Sequence, residues 1–177
     1  MIKRYFATKD NTLTNAYEPD LVTRGTGSNM GQSDILEVFT IYGQTSSSAD
    51  GLSREKANIL LEFDTTQIVA DKTSGAISSG SAFYLKLYNC KHPQTLPRDF
   101  SLAVLNVTEV DITSLVNRWV DGEETNNGVV IRLSSSLAEQ NRSYYTKMFF
   151  GRNSHNWFER PVIEARWDSA KLDDRGS

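Results

Sequence analysis

Alternation of apolar and polar residues is the feature that most limits how this chain can fold. A period of two places successive side chains on opposite faces of a β-strand. The pattern recurs in eight segments, which read KRYFAT, DILEVFTIY, NILLEFDT, SAFYLKLYNC, DFSLAVLNV, GVVIRLSS, YYTKMFFGR and RPVIEARW. Eight strands are typical of two-sheet jelly rolls. The sequence therefore predicts an all-β fold, a jelly-roll-like antiparallel β-sandwich of two sheets with about eight strands.

Two of these segments predict which faces are buried. In SAFYLKLYNC, one face carries Phe83, Leu85 and Leu87, and we expect this face to lie in the core. The opposite face carries Tyr84, Lys86 and Tyr88, and we expect it to face outward. The DILEVFTIY segment has apolar residues on both faces, which predicts a strand in the middle of the sandwich.

A different period predicts one short helix in the segment DITSLVNRWVDG. Its apolar residues recur at helical spacing in a single stripe, which consists of Ile112, Leu115, Val116 and Trp119. Asp111 is placed to cap the first turn, and Gly122 is placed to end the helix. Because so short a helix is marginal alone, it must bury its stripe. We therefore interpret Trp119 as part of the core; the alternative is a stacking platform for a ligand.

Charge and cysteine content exclude several classes of protein. The 19 basic and 22 acidic side chains nearly balance, which argues against a nucleic-acid binder and against a polybasic membrane anchor. The single cysteine, Cys90, excludes an intrachain disulfide. The opening residues MIKRYFATKD lack the apolar run of a signal peptide, and no stretch approaches a membrane span. We expect a protein that is made in a cytoplasm and binds neither nucleic acid nor membrane.

No set of residues predicts catalysis. The two histidines, His92 and His155, lie far apart and lack the spacing of a zinc site. Cys90 and His92 would share a face of a strand, so a Cys–His pair is conceivable, but a half-buried cysteine is the commoner case. The glycines of RGTGSNMGQS precede a strand, not a helix, and so do not form a phosphate-binding loop. We predict a non-enzymatic protein without a cofactor.

An acidic turn follows the predicted helix. Asp121, Glu123 and Glu124 precede Asn126 and Asn127, and such oxygen ligands can bind calcium. The spacing is not that of a recognised calcium loop, so we interpret the segment as a solvated turn and predict no metal site.

Aromatic residues are the candidates for binding. We select Tyr84 and Tyr88, which share a strand face, together with Trp157 and Phe158 near the last strand. Tyrosine and tryptophan combined with arginine are favoured at protein interfaces. The alternative is ordinary packing with scattered surface rings.

The order of several motifs resembles the DNRLRE family, the disaggregatase-related β-sandwich domains. The matching stretches are Asn29-x-Gly31-x-Ser33-x-x-Leu36-x-Val38, Arg54 ahead of LLEFD, ISSGSAFYLKLY, the set Asp111, Thr113, Val116, Trp119, Gly122, Asn127 and Gly128, and the closing FFGRNSHNWFERPVIEARW. Together they cover most of the chain. The resemblance implies a β-sandwich domain over residues 1–168. The polar composition of residues 169–177 predicts a tail or linker.

The segments RGTGSNMGQSDILEVFTIYGQ and RPVIEARWDS are also similar in sequence to domains in structural proteins of tailed bacteriophages. This similarity implies a virion protein that decorates the capsid or belongs to a tail or fibre assembly. Its partners would be capsid or tail subunits, and it would be a homo-oligomer or bound to a lattice. The family also lies close to carbohydrate-binding modules, in which sugars stack on exposed rings. The alternative expectation is therefore a carbohydrate-binding module or host-surface adhesin that binds a surface glycan.

Overall fold

The protein is built from antiparallel β-strands with short helices between them. The computed structural model describes residues 1–18, 20, 22–23, 25, 30–47, 51–90, 107–138 and 144–169. The strands in this part of the chain are β1 (Ile2–Thr14), β2 (Ile35–Ser47), β3 (Gly51–Phe63), β4 (Ala82–Tyr88), β5 (Val107–Asp111), β6 (Val129–Ile131), β7 (Tyr144–Phe150) and β8 (Val162–Arg166). The predicted all-β, sandwich-like fold with about eight strands is confirmed.

The strands form two sheets that share β1. Sheet A has the order β5-β4-β8-β1, and sheet B continues as β1-β3-β2-β7, with β6 on the edge of β3. The first half of β1 pairs with β8 and the second half with β3, and the register shifts between Ala7 and Lys9 where the strand changes partner. An isolated bridge between Asn89 and Phe149 joins the end of β4 to β7. Sheet A is therefore connected to sheet B on both sides.

The core lies between the inward faces of these strands. Phe63, Phe83, Phe149 and Ile163 are among its largest fully buried side chains. The predicted alternation in β4 is confirmed, because Phe83, Leu85 and Leu87 are buried while Tyr84, Lys86 and Tyr88 are half-buried on the other face. On β2, Leu36 and Val38 are buried, and Ile35, Phe39 and Ile41 on the opposite face are half-buried.

The single predicted helix is one of several. It corresponds to α2 (Thr113–Val120), while α1 (Thr66–Thr73) and the one-turn α3 (Ser135–Ala138) were not predicted. Helix α1 has no apolar stripe, since its buried residues are only Ile68 and Asp71. Its position is fixed by tertiary contacts, in which Asp71 accepts a hydrogen bond from Tyr5 at 2.7 Å and pairs with Lys3 at 2.6 Å.

Helix α2 packs its apolar stripe against the core, as predicted. Val116 is fully buried and Trp119 is 7% exposed, so the interpretation of Trp119 as a core residue is confirmed. The helix ends before Gly122, whose φ of 75° lies in the left-handed region that glycine favours. Asp111 differs from its predicted role. It is the last residue of β5, and its carboxylate accepts a bond from the Thr113 N–H at 2.9 Å, which makes a turn into the helix instead of an N-cap.

Several predicted features lie outside the described residues. The predicted strand DFSLAVLNV lies outside them except for Val107, which begins β5. His92 and residues 170–177 of the predicted tail also lie outside them. Among the described helices, none has the length and apolar character needed to cross a membrane.

Candidate binding surface on sheet A

The outward face of sheet A brings together the side chains that are candidates for binding. The strand registers place Asp111, Tyr84, Glu164 and Arg4 in one row across the sheet. The adjacent row contains Glu109, Lys86, Val162 and Phe6. Because paired residues of neighbouring strands point to the same face, these rows form one surface. We call it the sheet A surface, and it also includes Tyr88 and Arg166, which continue the alternation of β4 and β8.

A buried carboxylate lies at the centre of the sheet A surface. Glu164 is 1% exposed, although it belongs to the outward face of β8. Arg4 Nε donates to its Oε1 at 3.0 Å, and Arg166 Nε donates to its Oε2 at 3.0 Å. Lys86 Nζ lies 3.3 Å from Oε2. Three cations therefore surround one carboxylate, as the burial of a charge requires.

Glu109 extends this cluster to the edge strand. Its carboxylate accepts from both terminal nitrogens of Arg166, with Nη1 at 2.9 Å from Oε1, which is a bidentate pair. Hydrogen bonds from Arg166 lower the pKa of Glu109 below its ordinary value. The hydrogen bonds to Glu109 and Glu164 raise the pKa of Arg166 above its ordinary value. Burial raises the pKa of Glu164, but the hydrogen bonds from Arg166, Arg4 and Lys86 outweigh it, and the net shift is downward.

The two tyrosines of β4 lie beside these cations. The Arg166 guanidinium is 4.4 Å from the centroid of the Tyr84 ring, and the Lys86 amine is 5.9 Å from the centroid of the Tyr88 ring. Both distances are within the range of cation–π contacts. One side of the Tyr84 ring is therefore covered by a neighbour within the same chain.

Trp157 and Phe158 lie at the β1 side of the same surface. They belong to a 3-10 turn, Trp157–Glu159, that precedes β8. The Trp157 ring meets Phe6 edge-on at a centroid distance of 5.5 Å, and its centroid is 3.8 Å from that of Phe158. Trp157 is 49% exposed and Phe158 is 53% exposed, which leaves both rings accessible. Strand β8 separates this pair from the tyrosines of β4.

The structure thus places all four predicted aromatic residues on or beside one face. An ionic cluster that was not predicted from the sequence lies between them, and it is formed by Arg4, Lys86, Glu109, Glu164 and Arg166. One signal was present in RPVIEARW, where a glutamate interrupts an apolar strand and an arginine follows two residues later. The other members come from three other strands, and only the strand order brings them together.

The other residues considered for chemistry are dispersed. His155 is exposed, and Cys90 is half-buried at the end of β4. In the acidic turn, Glu124 pairs with Arg118 at 3.1 Å, while Asn126 donates to the Phe63 carbonyl at 2.7 Å and accepts from the Gly128 N–H at 3.0 Å. The turn therefore has a structural role. Within the described ranges, no three His, Cys, Asp or Glu side chains are grouped closely enough to hold a metal ion.

No protein-family model matches the chain, and no curated protein sequence matches it significantly. A function must therefore be inferred from the geometry of the sheet A surface and from the sequence motifs.

Proposed function

We propose that this protein is a non-enzymatic structural protein of a tailed-bacteriophage virion that binds another virion protein through the sheet A surface. The observation that carries the proposal is the pair of half-exposed rings, Trp157 and Phe158, next to a surface of tyrosine and arginine side chains. Aromatic and arginine side chains are enriched where protein interfaces are buried. The similarity of the sequence motifs to domains of phage structural proteins supports the particle as the location, as capsid decoration or as part of a tail or fibre.

The ionic cluster supports a protein partner. Its carboxylates and cations already satisfy one another within the chain, so docking does not require an unpaired charge to be buried. The contacts of Arg166 with Tyr84, Glu109 and Glu164 within the chain reduce the side-chain entropy that is lost on binding. A preorganised surface of this kind suits a repeating contact, either between copies of the chain or with a capsid or tail lattice.

The test is incorporation into particles. The double variant W157A/F158A is expected to be depleted from purified virions at least about tenfold relative to the unmodified chain, as loss of a central aromatic contact predicts. Val130→Ala is the matched control, because Val130 is 58% exposed but lies on β6 of sheet B. Cross-linking with mass spectrometry of intact particles would identify the partner. Absence of the chain from virions, or equal incorporation of the double variant, would contradict the proposal.

A second candidate, a carbohydrate-binding module or host-surface adhesin, is favoured by the exposure of the Trp157 and Phe158 rings. Exposed aromatic rings present a flat apolar face to which a sugar ring can stack. Tyr84 is less suited to this role, because Arg166 covers one side of its ring. A glycan array followed by calorimetry tests this candidate. Saturable binding that Trp157→Ala abolishes and Tyr84→Ala preserves would support it, and no binding at millimolar ligand would contradict it.

A further inference from the structure

A cavity of about 610 Å³ lies on sheet B, away from the sheet A surface. It opens on the edge of β3 at the point where the strand paired with that edge changes from β2 to β6. Strand β2 pairs with β3 as far as Ala57, and β6 pairs with it from Ile59. Asn58 lies between the two pairings and lines the cavity. The divergence of β2 from β6 therefore creates the space.

The polar residues of the cavity wall include two cations. Lys56 and Arg132 both line it, and neither has an ion-pair partner among the described residues. Ser134 and Ser135 also line the cavity. None of the described lining residues is acidic. The described lining residues therefore carry two positive charges and no negative charge, in a chain with a net charge of −3.

The remaining wall is apolar. Phe39 lines the cavity on the β2 side, and Leu133 and Ala138 line it on the side of the segment that follows β6. A volume of this size suits a small organic molecule, since ligand cavities are about 300–1,000 Å³. A bare anion would leave the apolar wall without a contact.

We infer that this cavity binds a small organic anion. Its carboxylate or phosphate group contacts Lys56 and Arg132, and its apolar part packs against Phe39 and Leu133. Arginine and lysine bind such oxyanions through charge-assisted hydrogen bonds, and arginine can do so with two parallel bonds. The site is separate from the sheet A surface, so this inference and the proposed function can fail independently.

Titration of the isotopically labelled full chain, followed by amide chemical shifts, tests the inference. The probes are benzoate, phenyl phosphate, inorganic phosphate and benzyl alcohol. Benzoate or phenyl phosphate is expected to shift the amides of residues 132–135 saturably, and the tighter of the two identifies the preferred oxyanion. Arg132→Gln and Lys56→Gln are each expected to weaken that binding by about tenfold or more, because each removes a charge-assisted contact.

The control variant is Arg118→Gln, which removes an arginine from the surface of α2, where it pairs with Glu124. It is expected to bind the aromatic anion as the unmodified chain does. Circular dichroism checks that each variant folds. Three results would overturn the inference. The first is no saturable shift at about 10 mM probe, a concentration well above the dissociation constants of ligand binding sites. The second is binding of benzyl alcohol as tight as that of the anions, and the third is equal weakening by Arg118→Gln. Binding of inorganic phosphate as tight as that of phenyl phosphate would overturn the role assigned to the apolar wall.

Discussion

The guanidinium of Arg166 contacts the carboxylate of Glu164, two residues earlier on the same strand, with Nε 3.0 Å from Oε2. Residues at this spacing share a strand face, so the pair lies on the sheet A surface. The same guanidinium lies over the Tyr84 ring and pairs with Glu109. Arg166 therefore neutralises a buried charge and also fixes the position of an aromatic side chain in the candidate binding surface.

Glu164→Gln is expected to lower the free energy of unfolding at pH 7 by about 1–3 kcal/mol, because three cations lose their shared carboxylate. The pKa of Glu164 is lowered on folding. Its contribution is therefore present above the unfolded pKa of about 4.3 and is lost as the pH falls through the lower folded pKa. Urea unfolding at pH 7 and at pH 3 measures the difference, which should shrink at the lower pH.

The control for this experiment is Glu62→Gln, which breaks an exposed pair with Lys9 on sheet B. Exposed pairs contribute about 0–1 kcal/mol, so this variant should unfold almost as the unmodified chain does. Equal effects of the two substitutions would show that burial of Glu164 does not matter to stability.

Gly128→Ala is expected to destabilise the protein by more than about 2 kcal/mol. Gly128 has a φ of 81°, and an added Cβ would lie 2.4 Å from the carbonyl oxygen of Leu61. The matched variant is Gly75→Ala, which has a similar φ of 74° but no atom within 4 Å of the added Cβ. It should cost only the conformational term of about 1–2 kcal/mol. Thermal and denaturant unfolding of both variants checks the prediction, which fails if their stabilities are equal.

Substitution of Trp119 by alanine is expected to destabilise the protein much more than substitution of Trp157. Trp119→Ala should reduce the free energy of unfolding by about 3–5 kcal/mol, because the side chain is buried in the core. Trp157→Ala should reduce it by less than about 1.5 kcal/mol, since the ring is half-exposed and its main contacts are aromatic neighbours. Denaturant unfolding followed by circular dichroism measures both. A larger loss for Trp157 would assign that residue a structural role.

Tyr5→Phe is expected to reduce stability by about 1 kcal/mol at neutral pH, because it removes the 2.7 Å hydrogen bond that holds α1 to β1 through Asp71. Burial, with the bond to Asp71 and its charge, raises the pKa of Tyr5 above its ordinary value. The hydroxyl therefore stabilises the fold below the unfolded pKa of about 10, and this contribution is lost as the pH rises through the folded value. Unfolding measured from pH 7 to pH 11 checks this. A difference between the two proteins that grows above pH 10 would contradict it.

The local pattern of apolar residues predicted burial correctly where one face of a strand or helix packs against the core. The alternation in β4 and the stripe of α2 each predicted which side chains are buried, because the core accepts only one face of each element. Helix α1 could not be predicted in this way. Its position depends on Asp71 meeting Tyr5 and Lys3, and those residues lie on a strand more than sixty positions away.

The sequence by itself determined the strand-rich architecture, the burial of Trp119 and the aromatic character of the candidate residues, since these follow from the period and type of neighbouring residues. Tertiary structure alone decided that Arg4, Lys86, Glu109 and Arg166 meet around Glu164, and that a cavity lined by Lys56 and Arg132 opens where β2 and β6 diverge. The physical reason is that side-chain direction is a local property of the backbone. Which strands become neighbours is decided by the packing of the whole core.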